Sequence, residues 1–116
     1  MAGSDQGAGT LLMAALALLT LLLIAAAVLL LQAASAASKA ATAADLAALA
    51  AADVARGLSA GDPCSVAGSV AQRQGAALRD CSIGATGAGT AQIRVSVPVE
   101  GLLPDAVGAA RAGPPP

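Results

Sequence analysis

The sequence predicts an α+β protein: a single N-terminal transmembrane helix extended by an Ala-rich helix, then a head made of a small helix plus a β-hairpin. Three observations carry this reading. Leu11 to Leu31 is an unbroken apolar run, LLMAALALLTLLLIAAAVLLL, with one Thr and no charge. Gln32 to Arg56 is rich in Ala and holds neither Pro nor Gly. Gln92 to Glu100, QIRVSVPVE, alternates apolar and polar residues with the two-residue period of a strand.

The apolar run comes first in the chain and in weight. Its 21 residues would span roughly 31 Å as a helix, about the thickness of a bilayer's hydrocarbon core. Lipid offers backbone groups no hydrogen-bond partners, so an inserted segment of this kind must be helical. Residues 1–10, MAGSDQGAGT, form a short polar, Gly-rich segment without Lys or Arg. They lack the basic region of an ordinary signal peptide, and the apolar run exceeds the ~7–15 residues of a signal's apolar region.

Residues 32–58 continue the helix. Ala is the strongest helix former, and one helix from about Gly9 to Arg56 is expected, its second half extending roughly 35–40 Å past the span. Leu46, Leu49 and Leu58 would give that half a narrow apolar face. Asp45 and Asp53 read as exposed, Asp53 pairing with Arg56 three residues on. The alternative is that the small-residue surface packs on another helix, because Ala lets backbones approach closely.

Residues 59–100 are expected to form the head. Gly57 to Pro63, GLSAGDP, stops the long helix. Asp62 as N-cap and Pro63 at the first helical position start a second one. It would run to about Gln74, with Val66 and Val70 on its apolar face, Gln72 and Arg73 outward, and Gly75 as its end. Leu78 to Ile83 is short enough for a strand. Gly84 to Thr90, GATGAGT, reads as a flexible loop. In Gln92 to Glu100, Pro98 cannot donate a ladder bond, so the strand is at an edge or stops there. The two strands would make a hairpin whose apolar face takes Val66 and Val70. Residues 101–116 lose all pattern and read as a flexible tail.

Cys64 and Cys81 are the only cysteines. A bridge would tie the second helix to the first strand, and in the chain-entropy model a loop of about 18 residues stabilises by roughly 3 kcal/mol. The competing readings are two buried thiols or a redox pair, although the C-x-x-C spacing usual for redox work is absent. A structural disulfide implies an oxidising compartment. Lys39, on the C-terminal side of the span, weakly opposes that placement by the positive-inside rule. The disulfide outweighs one lysine, which places the N-terminus in the cytoplasm and the head outside it.

Composition excludes several functions. With no His, Tyr, Trp or Phe and a net charge of −1, the chain lacks the basic face and aromatic platforms of nucleic-acid binders. Its scattered basic residues, Lys39, Arg56, Arg73, Arg79, Arg94 and Arg111, read as solvated charges. Without imidazole there is no Ser-His-Asp or Cys-His arrangement, and two cysteines do not close a zinc site. The carboxylates Asp45, Asp53, Asp62, Asp80, Glu100 and Asp105 show no pairing for acid–base work. No enzyme activity, cofactor, metal or small-molecule substrate is expected.

Three segments together resemble a known family. Asp5-Gln6-Gly7-Ala8-Gly9-Thr10 precedes the apolar run. Ala43-Ala44-Asp45-Leu46-Ala47-Ala48-Leu49-Ala50-Ala51 follows it. A Cys near a second helix, a second Cys before a hairpin and an Arg/Gly/Pro-rich end complete the order. This resembles the TadE-like proteins of tight-adherence (Flp) pilus loci in high-GC bacteria, over nearly the whole chain. The resemblance implies a minor pilin or pseudopilin with a membrane-embedded stem and a small extracytoplasmic head. Its implied partners are other pilin-like and assembly proteins, met through the N-terminal helix. Gly7 is then a candidate processing position, although Leu12 stands where processed relatives carry a Glu five residues after the cleavage Gly. Ala34-Ser35-Ala36 also matches an A-x-A cleavage pattern. Cleavage after Ala36 would release a soluble exported binding domain, the alternative function.

Overall fold

The computed structural model describes residues 2–115, with side chains from Gly7 onward. Met1 and Pro116, at the outer limits of the expected N-terminal segment and tail, lie outside the described residues. The element order is α1 (Ala2–Ala55), α2 (Pro63–Arg73), β1 (Ala77–Ile83), β2 (Ala91–Val97) and β3 (Ala106–Ala112). The fold is α+β, with one long apolar helix and a three-stranded antiparallel sheet in the order β1-β2-β3. The chain divides into two compact units, residues 1–32 and 33–116.

In the first unit, α1 is helical from Ala2, earlier than the start near Gly9 expected from sequence. Once a helix is nucleated, each added residue gains a backbone bond for two fixed dihedrals, so a strong helix propagates into weak neighbours such as Gly7 and Gly9. The apolar side chains here have no cover within the chain. Large ones from Leu11 to Leu31 are 43% to 73% exposed. Thr20, the one polar side chain inside the apolar run, donates its hydroxyl to the Leu16 carbonyl at 2.8 Å. That bond removes the donor that would be costly in hydrocarbon.

The second unit is larger than the head expected over residues 59–100, because the Ala-rich half of α1 belongs to it. Ala36, Ala40, Ala43, Ala44, Ala47, Ala48, Ala51 and Ala52 are buried. Their spacing of three and four residues draws one stripe along the helix. This stripe packs with Ala67 and Ala71 of α2 and with Ala91, Ile93, Val95 and Val97 of β2. The extension is therefore the core of the head, where a free projection was expected. Leu46, Leu49 and Leu58, expected with the alanines to give a narrow apolar face, are exposed, and of that face the alanines alone are buried. Backbone proximity explains the exchange. A Cβ at Gly108 of β3 would overlap the Ala40 carbonyl group, and where strand and helix backbones come that close only the smallest side chains fit.

Both helices end as their glycines predict. At the end of α1, Gly57 takes φ +79°, its amide donates to the Val54 carbonyl at 3.0 Å, and the Leu58 amide donates to the Asp53 carbonyl at 2.8 Å. At the end of α2, Gly75 takes φ +74°, donating to Gln72 at 3.0 Å, while Ala76 donates to Ala71 at 2.9 Å. These are Schellman caps, which need a left-handed residue and so favour Gly. The aliphatic stem of Arg56 lies over Gly89, with Cγ 2.8 Å from where a Cβ would stand.

At the start of α2, the Asp62 carboxylate accepts the Ser65 amide at 3.0 Å, with Pro63 at the first turn. Replacing Asp62 with Ala should cost about 0.5–2 kcal/mol, the ordinary worth of such a cap. Thermal unfolding of the full chain in detergent reads this as a lower Tm, and Asp62→Asn should restore most of it. The face α2 buries centres on Ala67 and Ala71, with Val70 at its margin. Val66 is half-buried and packs toward Gly61 rather than filling the core.

The predicted hairpin forms, with one irregularity. Leu78 pairs with Val95 and Asp80 with Arg94, so Arg79 is an extra residue in β1. Such a bulge shifts which side chains face inward. Leu78 before it and Cys81 after it both pack on the core, although three positions apart. Arg79 turns outward, where its Nε donates to Ser96 Oγ at 2.7 Å. β2 ends at Val97, the residue before Pro98. It is the central strand, so of the two readings of Pro98 the stop is the one realised.

Residues 101–116 correct the expectation of an unpatterned tail, because Ala106–Ala112 form β3. Val97 pairs with Ala106, Val95 with Gly108, Ile93 with Ala110 and Ala91 with Ala112. The residues opposite β2's buried set are thus Ala, Gly, Ala and Ala, which face the alanine stripe of α1.

Candidate functional site

The cysteines meet as expected. Cys64, in the first turn of α2, is disulfide-bonded to Cys81 of β1 with 5.9 Å between their Cα atoms. No free cysteine remains. The buried residues of α2 are Ala67 and Ala71, so the covalent tie supplements a thin contact.

The Gly84–Thr90 connection is built rather than loose. The Gly84 amide donates to the Thr90 carbonyl at 2.9 Å. Buried Thr90 donates its hydroxyl to the Gly87 carbonyl at 2.6 Å, and Thr86 donates to Thr90 Oγ1 at 3.2 Å. Arg111 of β3 donates Nε to Thr86 Oγ1 at 2.7 Å, which ties the last strand to this loop. Gly113, at φ +141°, lies so close that an added Cβ would stand 2.8 Å from the Thr90 Cα.

Beyond the core, polar residues gather on the outer face of the sheet. Asp80, Ser82, Gln92, Arg94 and Arg111 line a shallow open depression there. A second open depression is lined by Asp45, Leu49 and the end of β3. Among the described residues no group of three or more His, Cys, Asp or Glu side chains is placed to hold a metal.

The candidate processing positions both stand on α1. Gly7 has nothing within 4 Å of where a Cβ would be. Ala36 is 8% exposed and begins the alanine stripe. Sequence reasoning missed β3 as a contributor to the head, and Gly108 was the available signal: a Gly inside a strand marks a close backbone approach.

These features define a class of protein. A long apolar N-terminal helix, with the length and composition of a membrane anchor or signal sequence, runs without a break into a disulfide-stapled α+β head. Comparison with protein-family models, with curated proteins and with solved structures finds no match to this chain. The functional reading therefore rests on its own residues and geometry.

Proposed function

We propose that the protein is a membrane-anchored structural component, a minor pilin- or pseudopilin-like subunit of a tight-adherence (Flp-type) pilus or a related secretion machine. The observation that carries this reading is the division of labour within α1. Its Leu-rich part is uncovered within the chain, and its Ala-rich part is the core of the head. A helix so divided fits a stem that sits in lipid or in a bundle of like stems, while the head meets partners outside the cytoplasm.

The disulfide supports an extracytoplasmic head, since such bonds persist in oxidising compartments. Burial of Ala36 favours retention of the stem over release after that residue. Cleavage there would open an unbroken helix where the alanine stripe begins.

The test is photocrosslinking in cells, from a reactive amino acid placed at Leu21 in the native gene. The expected result is crosslinks to other small single-span chains and loss of surface piliation or adhesion on gene deletion. Unchanged adhesion in the deletion strain, with crosslinks to no protein, would contradict the proposal.

A further inference from the structure

The connection between β2 and β3, residues 98–105, carries the most exposed large apolar side chain of the head. Leu102 is fully exposed. The loop around it is held from both sides. Val99 packs against the core, Leu103 is half-buried, and Gly101 turns the tip at φ +96°. The fold thus holds one leucine outward on a tethered loop, where an unpartnered leucine gains nothing from burial.

The position of this loop within the head gives that exposure a meaning. β3 runs in the same direction as the second half of α1. Gly108 lies against Ala40, whereas at the other end Gly89 meets both Arg56 and Pro114. Residues 98–105 therefore lie at the end of the head where Ala36 and Ala40 are. Lys39 is at this end too, its Nζ 3.5 Å from where a Cβ on Gly75 would stand. Ala36 is five residues beyond Leu31, the last residue of the apolar run. Five residues reach at most about 18 Å in any conformation. Whatever the angle between span and head, this end of the head is covalently held close to where the span leaves the hydrocarbon.

We propose that the β2–β3 loop is a second membrane contact, with Leu102 inserted into the lipid headgroup boundary beside the span. The inference rests on the span being inserted, as proposed above. Its partner is the lipid surface itself. Insertion is shallow, as for other interfacial apolar groups. Glu100 and Asp105 flank the tip and stay in water. Lys39, the only lysine, extends its ammonium from the same end toward lipid phosphates. The loop would fix the head's orientation on the membrane, which a single helix leaves free.

The chain has no Trp, so single-Trp variants report directly. Full-length Leu102→Trp, Leu58→Trp and Leu21→Trp would be reconstituted in phosphatidylcholine–phosphatidylglycerol vesicles with and without brominated acyl chains. Leu58 is at the opposite end of the head and Leu21 is mid-span. Brominated lipid should quench L102W emission by half or more, quench L21W strongly and leave L58W unchanged. Quenching of L21W but not L102W would overturn the inference and leave the anchor reading intact. A blue-shifted L102W that brominated lipid does not quench would place the loop against protein, such as a second copy, and also overturn it. An unquenched L21W would remove the anchor reading and this inference together. An unchanged far-ultraviolet circular dichroism spectrum confirms that each variant keeps its fold.

Discussion

Gly108→Val is expected to destabilise the head by about 3 kcal/mol or more, the upper range for forcing extra atoms into a packed core. The position has no room to relax. An added Cβ meets the backbone carbonyl of Ala40 rather than the movable end of a side chain, so strand and helix must separate. At roughly 4–8 °C per kcal/mol for a domain of this size, Tm should fall by more than about 12 °C. Ala109→Val is the matched control: the neighbouring residue on the same strand is exposed and pairs with Arg94 on the outer face. There the β-branched side chain should be neutral or slightly favourable. Equal Tm values for the two variants, measured on full-length protein in detergent, would contradict the close approach of β3 to α1.

Removing the disulfide is expected to have an effect of similar size. Cys64→Ser/Cys81→Ser should lose about 3 kcal/mol in the chain-entropy model. The reason lies in the composition of the core. Among the described residues, thirteen of the sixteen buried members of the core cluster are alanine, the others being Ile93, Val95 and Val97. Alanine costs no rotamer entropy on burial, but it also removes little apolar area from water. α2 contributes only Ala67 and Ala71 to the buried set, and the covalent tie holds it where burial alone holds it weakly. Loss should therefore be uneven. Amides of α2 should exchange with solvent much faster in the double variant, while those of β2 in the sheet centre should change least. Uniform acceleration across head amides would mean that the bridge stabilises the unit as a whole, without a special hold on α2.

The same composition decides what was legible in the sequence. The apolar run, both glycine helix stops and the Asp62–Pro63 start rest on strong local chemistry, and each stands where it was expected. β2 was legible because Ile93, Val95 and Val97 contrast with Gln92, Arg94 and Ser96. β3 was not, because AVGAARA has small residues on both faces and shows no such contrast. The core was misread for a related reason. Along α1, leucines carry the larger hydrophobic signal, yet burial went to alanines because the facing strand is Gly and Ala. That selection is made by distance between backbones, which no local pattern in the helix records. In β1, the bulge at Arg79 moves Cys81 inward out of phase with Leu78, so strict alternation fails within a real strand. The disulfide was legible from count and spacing alone, while its packing against the alanine core was not.

The central claim is a retained apolar stem bearing a stapled head outside the cytoplasm. It is tested most directly by the intact mass of the native protein taken from the membrane fraction, before and after reduction. The expected result is a chain that keeps the apolar run and gains about 2 Da on reduction, one hydrogen for each sulfur of the bridge. A soluble chain beginning at Ala37, or a membrane-bound chain whose mass does not change on reduction, would contradict it.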